Sequence, residues 1–330
     1  MKRNASLIDR LALSYHTLAL SLLFAMSAFK SRGRGTHLLG VGGRGTLTLA
    51  DDIPLPDNAF FTPGRRFEAA LRHADLAEPD DLAADFKGAA LKLYDGDAEV
   101  MDFLMNTGAV TVWAHVSQFA ERMRFALTKN LKGFFEKYPD AVERYYAGLR
   151  RAPDGFDDLS YYGNLAFALV DRKGGRSVFR YRLVPSTWKG QDSGQPTARD
   201  REHFLQVERF SDETRPKDAL RRAWADKVSN GSVQYHLEVQ RADYSDDPRA
   251  AVYDPTRHWG APDAPWHRLG VLTIDKLLAP EALEPLRFTI ARLPAVVELP
   301  AAFSPTDFTS IGHLRAVAYR WSARVRALRG

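Results

Sequence analysis

The sequence predicts an α+β fold: a closed antiparallel β-barrel with helices packed around it. Three observations predict it. Short runs rich in Val, Leu, Ile and Tyr recur along the chain, clusters of turn-forming residues separate them, and longer segments with helical spacing stand outside those runs.

Taken in order, the first element is an N-terminal arm. Residues 11–29 contain no Lys, Arg, Asp or Glu and follow Lys2, Arg3 and Arg10, which gives them the look of a signal or anchor segment. Polar residues from Ser14 to Ser27 interrupt the run, whereas a spanning helix needs about 20 predominantly apolar residues. No clean small-residue cleavage pattern precedes Lys30. Residues 1–30 are therefore expected to form an amphipathic helical arm on the body or on a partner subunit. Membrane-surface attachment comes second and a transmembrane span last.

Residues 36–49 read as an extended strand pair turning through Gly42, Gly43 and Gly45. Short β-like runs follow at 91–93 and 110–112. The runs at 165–170 and 178–184 flank Asp171-Arg-Lys-Gly-Gly175, a hairpin signal, and 232–239 with 271–274 complete a set sufficient for a closed barrel. Helical spacing appears over 117–132, 139–151, 216–228 and 312–328. Residues 186–200, rich in Ser, Gly, Pro and charge, read as an exposed connection. No internal repeat is present.

Composition narrows the chemistry. At 330 residues the chain exceeds a typical domain, yet large β-barrels of this size form single domains, and 45% hydrophobic residues suffice for a core. The absence of cysteine excludes disulfides, thiolate ligands, thiol nucleophiles and cysteine-type zinc or iron–sulfur sites. A net charge of +5 favours anionic surfaces or acidic substrates. No aromatic-interleaved basic platform accompanies it, so nucleic acid is not an expected partner. The run Gly40-Val-Gly42-Gly-Arg-Gly45 lacks the Gly-Lys-Ser/Thr ending of a phosphate loop and reads as strand and turn glycine. His73, His203, His236, His258 and His267 show no spacing for a metal triad, and His115 reads as structural.

The last helix carries more specific information. Arg315 and Tyr319 stand four residues apart, on one helical face. A fixed guanidinium favours the ionised form of a neighbouring phenol, and a phenolate is a hard oxygen ligand suited to ferric haem. Arg324 and Arg326 follow within two turns, where guanidiniums can meet carboxylates. A basic amphipathic helix with one buried tyrosine fits the same residues.

Further motifs occur in a fixed order. Arg34-Gly-Thr36-His37 precedes the glycine-rich run. Arg66-Phe67, Phe86-Lys-Gly-Ala-Ala-Leu-Lys-Leu-Tyr94 and Asp102-Phe-Leu-Met-Asn106 come next, with Phe119 thirteen residues beyond the asparagine. Trp266, Gly270-Val-Leu-Thr-Ile274 and Ala302-Phe-Ser-Pro305 lead into Ile311-Gly-His-Leu-Arg315. Over roughly residues 31–330 this succession resembles the haem-catalase core. It is closest to the shortened catalase-related branch that contains allene oxide synthases and other enzymes rearranging fatty-acid hydroperoxides. The resemblance implies a catalase-like haem-binding domain over 31–330 with haem b and ferric iron as cofactor. Tyr319 would be the proximal ligand, held as phenolate by Arg315. His37 would be the distal histidine and Asn106 the distal asparagine. Phe119 would stack on the porphyrin, and Arg34, Arg66 and Arg326 would meet the propionates.

Departures from the family pattern accompany these matches. Thr36 stands where ordinary catalases have valine, and Thr-His is the pattern of the allene oxide synthase branch. Glu68 replaces the serine after the Arg-Phe pair, Thr107-Gly108 lacks the usual proline, and Arg320 stands where catalases have proline. The resemblance implies O–O cleavage of organic hydroperoxides, those of fatty acids first. Rearrangement or peroxidase turnover would follow, with Thr36 influencing His37. A small catalase or general peroxidase using hydrogen peroxide is the alternative enzyme, and a non-catalytic haem-binding protein is the alternative class. Expected partners are the hydroperoxide, a second copy of the chain and, through residues 1–30, a membrane surface. A cytoplasmic location is expected, with membrane association or secretion left open by that segment.

Overall fold

The computed structural model describes residues 6–31, 34, 36–260 and 264–327, without the side chains of Lys30, Ser31 and Arg326. Eight antiparallel strands form its centre: β1 (Gly40–Leu49), β2 (Arg66–Asp75), β3 (Lys87–Asp95), β4 (Ala98–Asn106), β5 (Tyr161–Val170), β6 (Arg176–Pro185), β7 (Val233–Asp243) and β8 (His267–Leu277). The order runs β4-β3-β2-β1-β8-β7-β6-β5, and one pairing, Asn106 with Tyr162, joins β4 to β5 and closes the barrel. A two-residue strand β9 (Val297–Glu298) pairs with the far end of β5.

Among the described residues eight α-helices surround it: α1 (Leu7–Ser31), α2 (Val116–Leu127), α3 (Leu131–Lys137), α4 (Asp140–Gly148), α5 (Ala198–Glu202), α6 (Ala219–Ser229), α7 (Pro280–Leu283) and α8 (Ser310–Ala327). The longest two, α1 and α8, pack on each other, and α1 also touches α2. His115 caps α2 by accepting from the Gln118 N–H at 3.2 Å, a structural role.

Inward side chains of the strands, among them Leu47, Phe67, Leu71, Leu91, Phe103, Phe179 and Leu237, are buried in the main core. Trp224 of α6 joins that core, and its indole N–H donates to the Tyr235 hydroxyl at 2.9 Å.

Three expectations change. Residues 110–112 form no strand and lie in the bends between β4 and α2. Residues 36–49 do not turn back: Gly40–Leu49 is one strand, and its glycines serve close packing. A Cβ on Gly45 would lie 1.8 Å from the Thr273 carbonyl oxygen, so that position admits no larger residue without moving β8. Residues 186–200 are not simply exposed. Asp192 and Asp200 are buried against Arg150 and Arg151, at 2.7 and 2.5 Å.

Candidate active site

His37 is placed by the backbone around it. Its N–H donates to the Leu76 carbonyl at 2.8 Å, and its own carbonyl accepts from the Arg72 guanidinium at 3.0 Å. Its φ of +56° is a left-handed conformation that costs a non-glycine residue about 1–3 kcal/mol, and such strain concentrates at functional sites. The imidazole lies over Gly88 of β3. A Cβ there would come within 2.7 Å of Cε1 and 3.0 Å of Nδ1, so glycine forms the floor of the ring. The nearby Ala74 carbonyl slightly favours the protonated ring, and a neutral imidazole keeps one N–H donor and one acceptor nitrogen.

Asn106 reaches the same place through the sheet. It pairs directly with Gly88, and opposite residues of an antiparallel pair project to one face. The amide therefore extends to the side on which the imidazole lies. Thr107 anchors this strand end: its hydroxyl donates to the Gly148 carbonyl at 2.6 Å and accepts from the Lys87 N–H at 3.1 Å.

The surroundings are cationic. Burial, followed by the charges of Arg72, Arg34 and Arg315, lowers the His37 pKa from 6.5 to about 3, so the ring is neutral near pH 7. Arg34 donates to the carbonyls of Leu286 at 2.8 Å and Glu284 at 3.1 Å. The Glu284 carboxylate lies 3.7 Å from Arg34 and 3.8 Å from Arg72.

From the other end of the chain, α8 brings Arg315 and Tyr319, both half-buried. Tyr319 packs against the main core. Both residues lie within electrostatic reach of Tyr181, a fully buried phenol pushed upward chiefly by burial. Arg315 acts on His37 as well. Arg34 and Arg315 thus act electrostatically on His37, Arg315 and Tyr319 both act on Tyr181, and Thr36 is half-buried next to His37.

Two predicted residues stand differently. Arg66 is exposed at the start of β2, six residues and about 20 Å of strand from Arg72. The guanidinium beside His37 is that of Arg72, a residue the sequence reading passed over. Its place directly after the apolar run Ala69-Ala-Leu71 was the available signal, since a buried arginine needs partners. Phe119 is buried, but its ring stacks on Phe24 of α1 at 6.1 Å and meets Trp113 at 4.5 Å. The Arg326 side chain lies outside the described residues.

Comparisons with known proteins agree with this architecture. No protein-family model matches the chain. It is 32% identical over 307 residues, 92% of its length, to the allene oxide synthase-lipoxygenase protein of Plexaura homomalla. The chain belongs to the catalase-related branch of the catalase superfamily. A linolenate 9R-lipoxygenase of Nostoc sp. is 26% identical over 94% of this catalase-related chain. The chain spans only 29% and 41% of the lengths of these two relatives. In fold it resembles a bacterial catalase, with a TM-score of 0.68 at 18% identity, covering 94% of this chain and 61% of that one.

A cavity of about 150 Å³ is lined by Tyr162, the residue paired with Asn106, and by Arg180, Gln240, His258, Trp259 and Trp266 among others. Among the described residues no cluster of three or more His, Asp or Glu is placed to hold a bare metal ion.

Proposed function

We propose that this catalase-related protein holds haem b between His37 and Tyr319 and converts organic hydroperoxides, those of polyunsaturated fatty acids first. The observation that carries the proposal is the convergence of sequence-distant groups. Arg315 near the end of the chain acts on the neutral imidazole near its start, and Arg315 and Tyr319 both act on the buried Tyr181.

The donor set fits the group. Tyr319 offers a phenol oxygen to iron, with Arg315 one helical turn away on the same face. Arg34 and Arg72 supply guanidiniums for two propionates, with Arg72 taking the part that the family pattern had suggested for Arg66. Haem, when bound, would supply a ferric centre at which a peroxide O–O bond breaks.

The remaining work belongs to the protein. The acceptor nitrogen of His37 takes the hydroperoxide proton and returns it to the other peroxide oxygen. The Asn106 amide orients the substrate by hydrogen bonding. Thr36 stands next to the imidazole, where a hydroxyl can alter its availability. The Thr36-His37 pair, shared with the allene oxide synthase pattern, favours an organic hydroperoxide over hydrogen peroxide.

Reconstitution with haemin tests the proposal. Expected are a Soret spectrum of high-spin, tyrosinate-ligated ferric haem, its loss in Tyr319→Phe, and consumption of a defined fatty-acid hydroperoxide. Vigorous oxygen release from hydrogen peroxide would instead identify a small catalase. Haem uptake without turnover of either peroxide would identify a binding protein.

A further inference from the structure

We infer that the outer face of α1 lies in the headgroup–acyl boundary of a membrane containing anionic lipid. This goes beyond the proposed function and does not depend on it.

Leu7, Leu11, Tyr15, Leu18, Leu22 and Phe29 are each between 43% and 72% exposed. At 3.6 residues per turn they fall within an arc of about 80°, which the exposed Ile8 and Met26 widen to about 100°. The stripe runs the length of a 25-residue helix, or about 37 Å. Exposed large apolar side chains are ordinary when scattered, but a continuous stripe marks an interaction surface.

The opposite face is fixed to the body. Leu20, Ser21 and Ala28 are buried, Phe24 stacks on Phe119, and Ala25 is buried at the edge of the arc. Near the N-terminal end, the Ser304 hydroxyl donates to Asp9 at 3.1 Å and Arg10 lies over the Phe303 ring. A helix held along one side cannot also span a bilayer. It can lie in the plane of one, with its apolar arc submerged about 5–10 Å.

Charge selects the occupant. Residues 11–29 carry no charge, while Lys2, Arg3 and Arg10 stand before them and Lys30 and Arg32 after. Arg320 and Arg324 are exposed on α8, the helix against which α1 packs. An apolar run bounded by cations along the sequence, with exposed arginines on the neighbouring helix, is complementary to acyl chains beneath anionic headgroups. A second copy of α1 fits less well. A coiled-coil seam is narrower than this arc and is normally flanked by charged pairs, which residues 11–29 do not contain.

The test is flotation of the full chain with vesicles of phosphatidylcholine, alone or mixed with phosphatidylglycerol. Binding is expected to the mixed vesicles and to weaken with salt. Leu11→Ser, Leu18→Ser and Leu22→Ser should each reduce partitioning about tenfold. Because the chain has no cysteine, Leu18→Cys labelled with an environment-sensitive dye gives a second readout, a blue shift on mixed vesicles, with far-UV circular dichroism confirming the fold. Absence of flotation, or binding unchanged by the serine variants, overturns the inference. So does a carbonate-resistant membrane fraction, which indicates a spanning helix. A solution dimer broken by the serine variants without vesicle uptake assigns the stripe to a second copy instead.

Discussion

His37 and His73 share a number and differ in everything else. Both rings are pushed from 6.5 to about 3, with burial as the first cause. His73 lies inside the barrel, where Phe156 stacks on it at 5.3 Å and its Nε2 meets the Tyr235 hydroxyl at 3.0 Å. His37 lies on the other side of the sheet among three arginines, with strained backbone and one ring nitrogen left as acceptor. A depressed pKa therefore does not identify a catalytic histidine. What distinguishes one is which groups it faces and whether a substrate could reach the free nitrogen.

The sharpest way to break this comparison is to remove each ring. His37→Ala should lower hydroperoxide turnover by about 10²–10⁴-fold, with haem uptake retained. His73→Phe should leave turnover within a few-fold and cost about 1–3 kcal/mol of stability, because the Tyr235 hydroxyl loses a partner. Equal losses of turnover would abolish the distinction. Gly88→Ala comes next. Its methyl group would press on the imidazole without touching the chemistry of either histidine, and a displacement of about 1 Å can cost about 100-fold. Single-turnover kinetics would separate that loss from weaker substrate binding.

Arg72→Gln should give a smaller effect with a definite sign. Removing that charge raises the His37 pKa from about 3 toward 6.5, so the acid limb of the pH–rate profile moves upward. The smallest effect concerns stability. An unfolded chain takes up protons on these histidines as pH falls from 6.5 to 3, while the folded chain refuses them, so stability falls across that window. His73→Phe should flatten the decline in denaturant midpoint between those limits.

Much of the barrel could be read from sequence because several strands are bounded by turns. The β5–β6 hairpin announces itself through Asp171 to Gly175, and β7 and β8 through their Val, Leu and Ile. β2 was missed for a physical reason. Ala69 to Asp75 is buried on both faces, so the strand lacks the alternation that marks a half-exposed one. β4 hid behind Asp102, an unpromising strand residue whose charge is answered by Lys92 and Arg292. At the site, His37, Asn106, Arg315 and Tyr319 came from motif order. Arg72 needed the register of β2: two arginines six residues apart offer the same chemistry, and only strand pairing decides which is buried.

The barrel is a hoop whose closing seam holds one backbone pairing, Asn106 against Tyr162, beside the Asn164 amide on the Gly108 carbonyl. Loosening it would cost few backbone bonds, and the amide would be the first group carried out of position. Warming should therefore extinguish turnover before the hoop itself melts, with amide exchange at residues 106 and 162 accelerating ahead of that in the strands opposite.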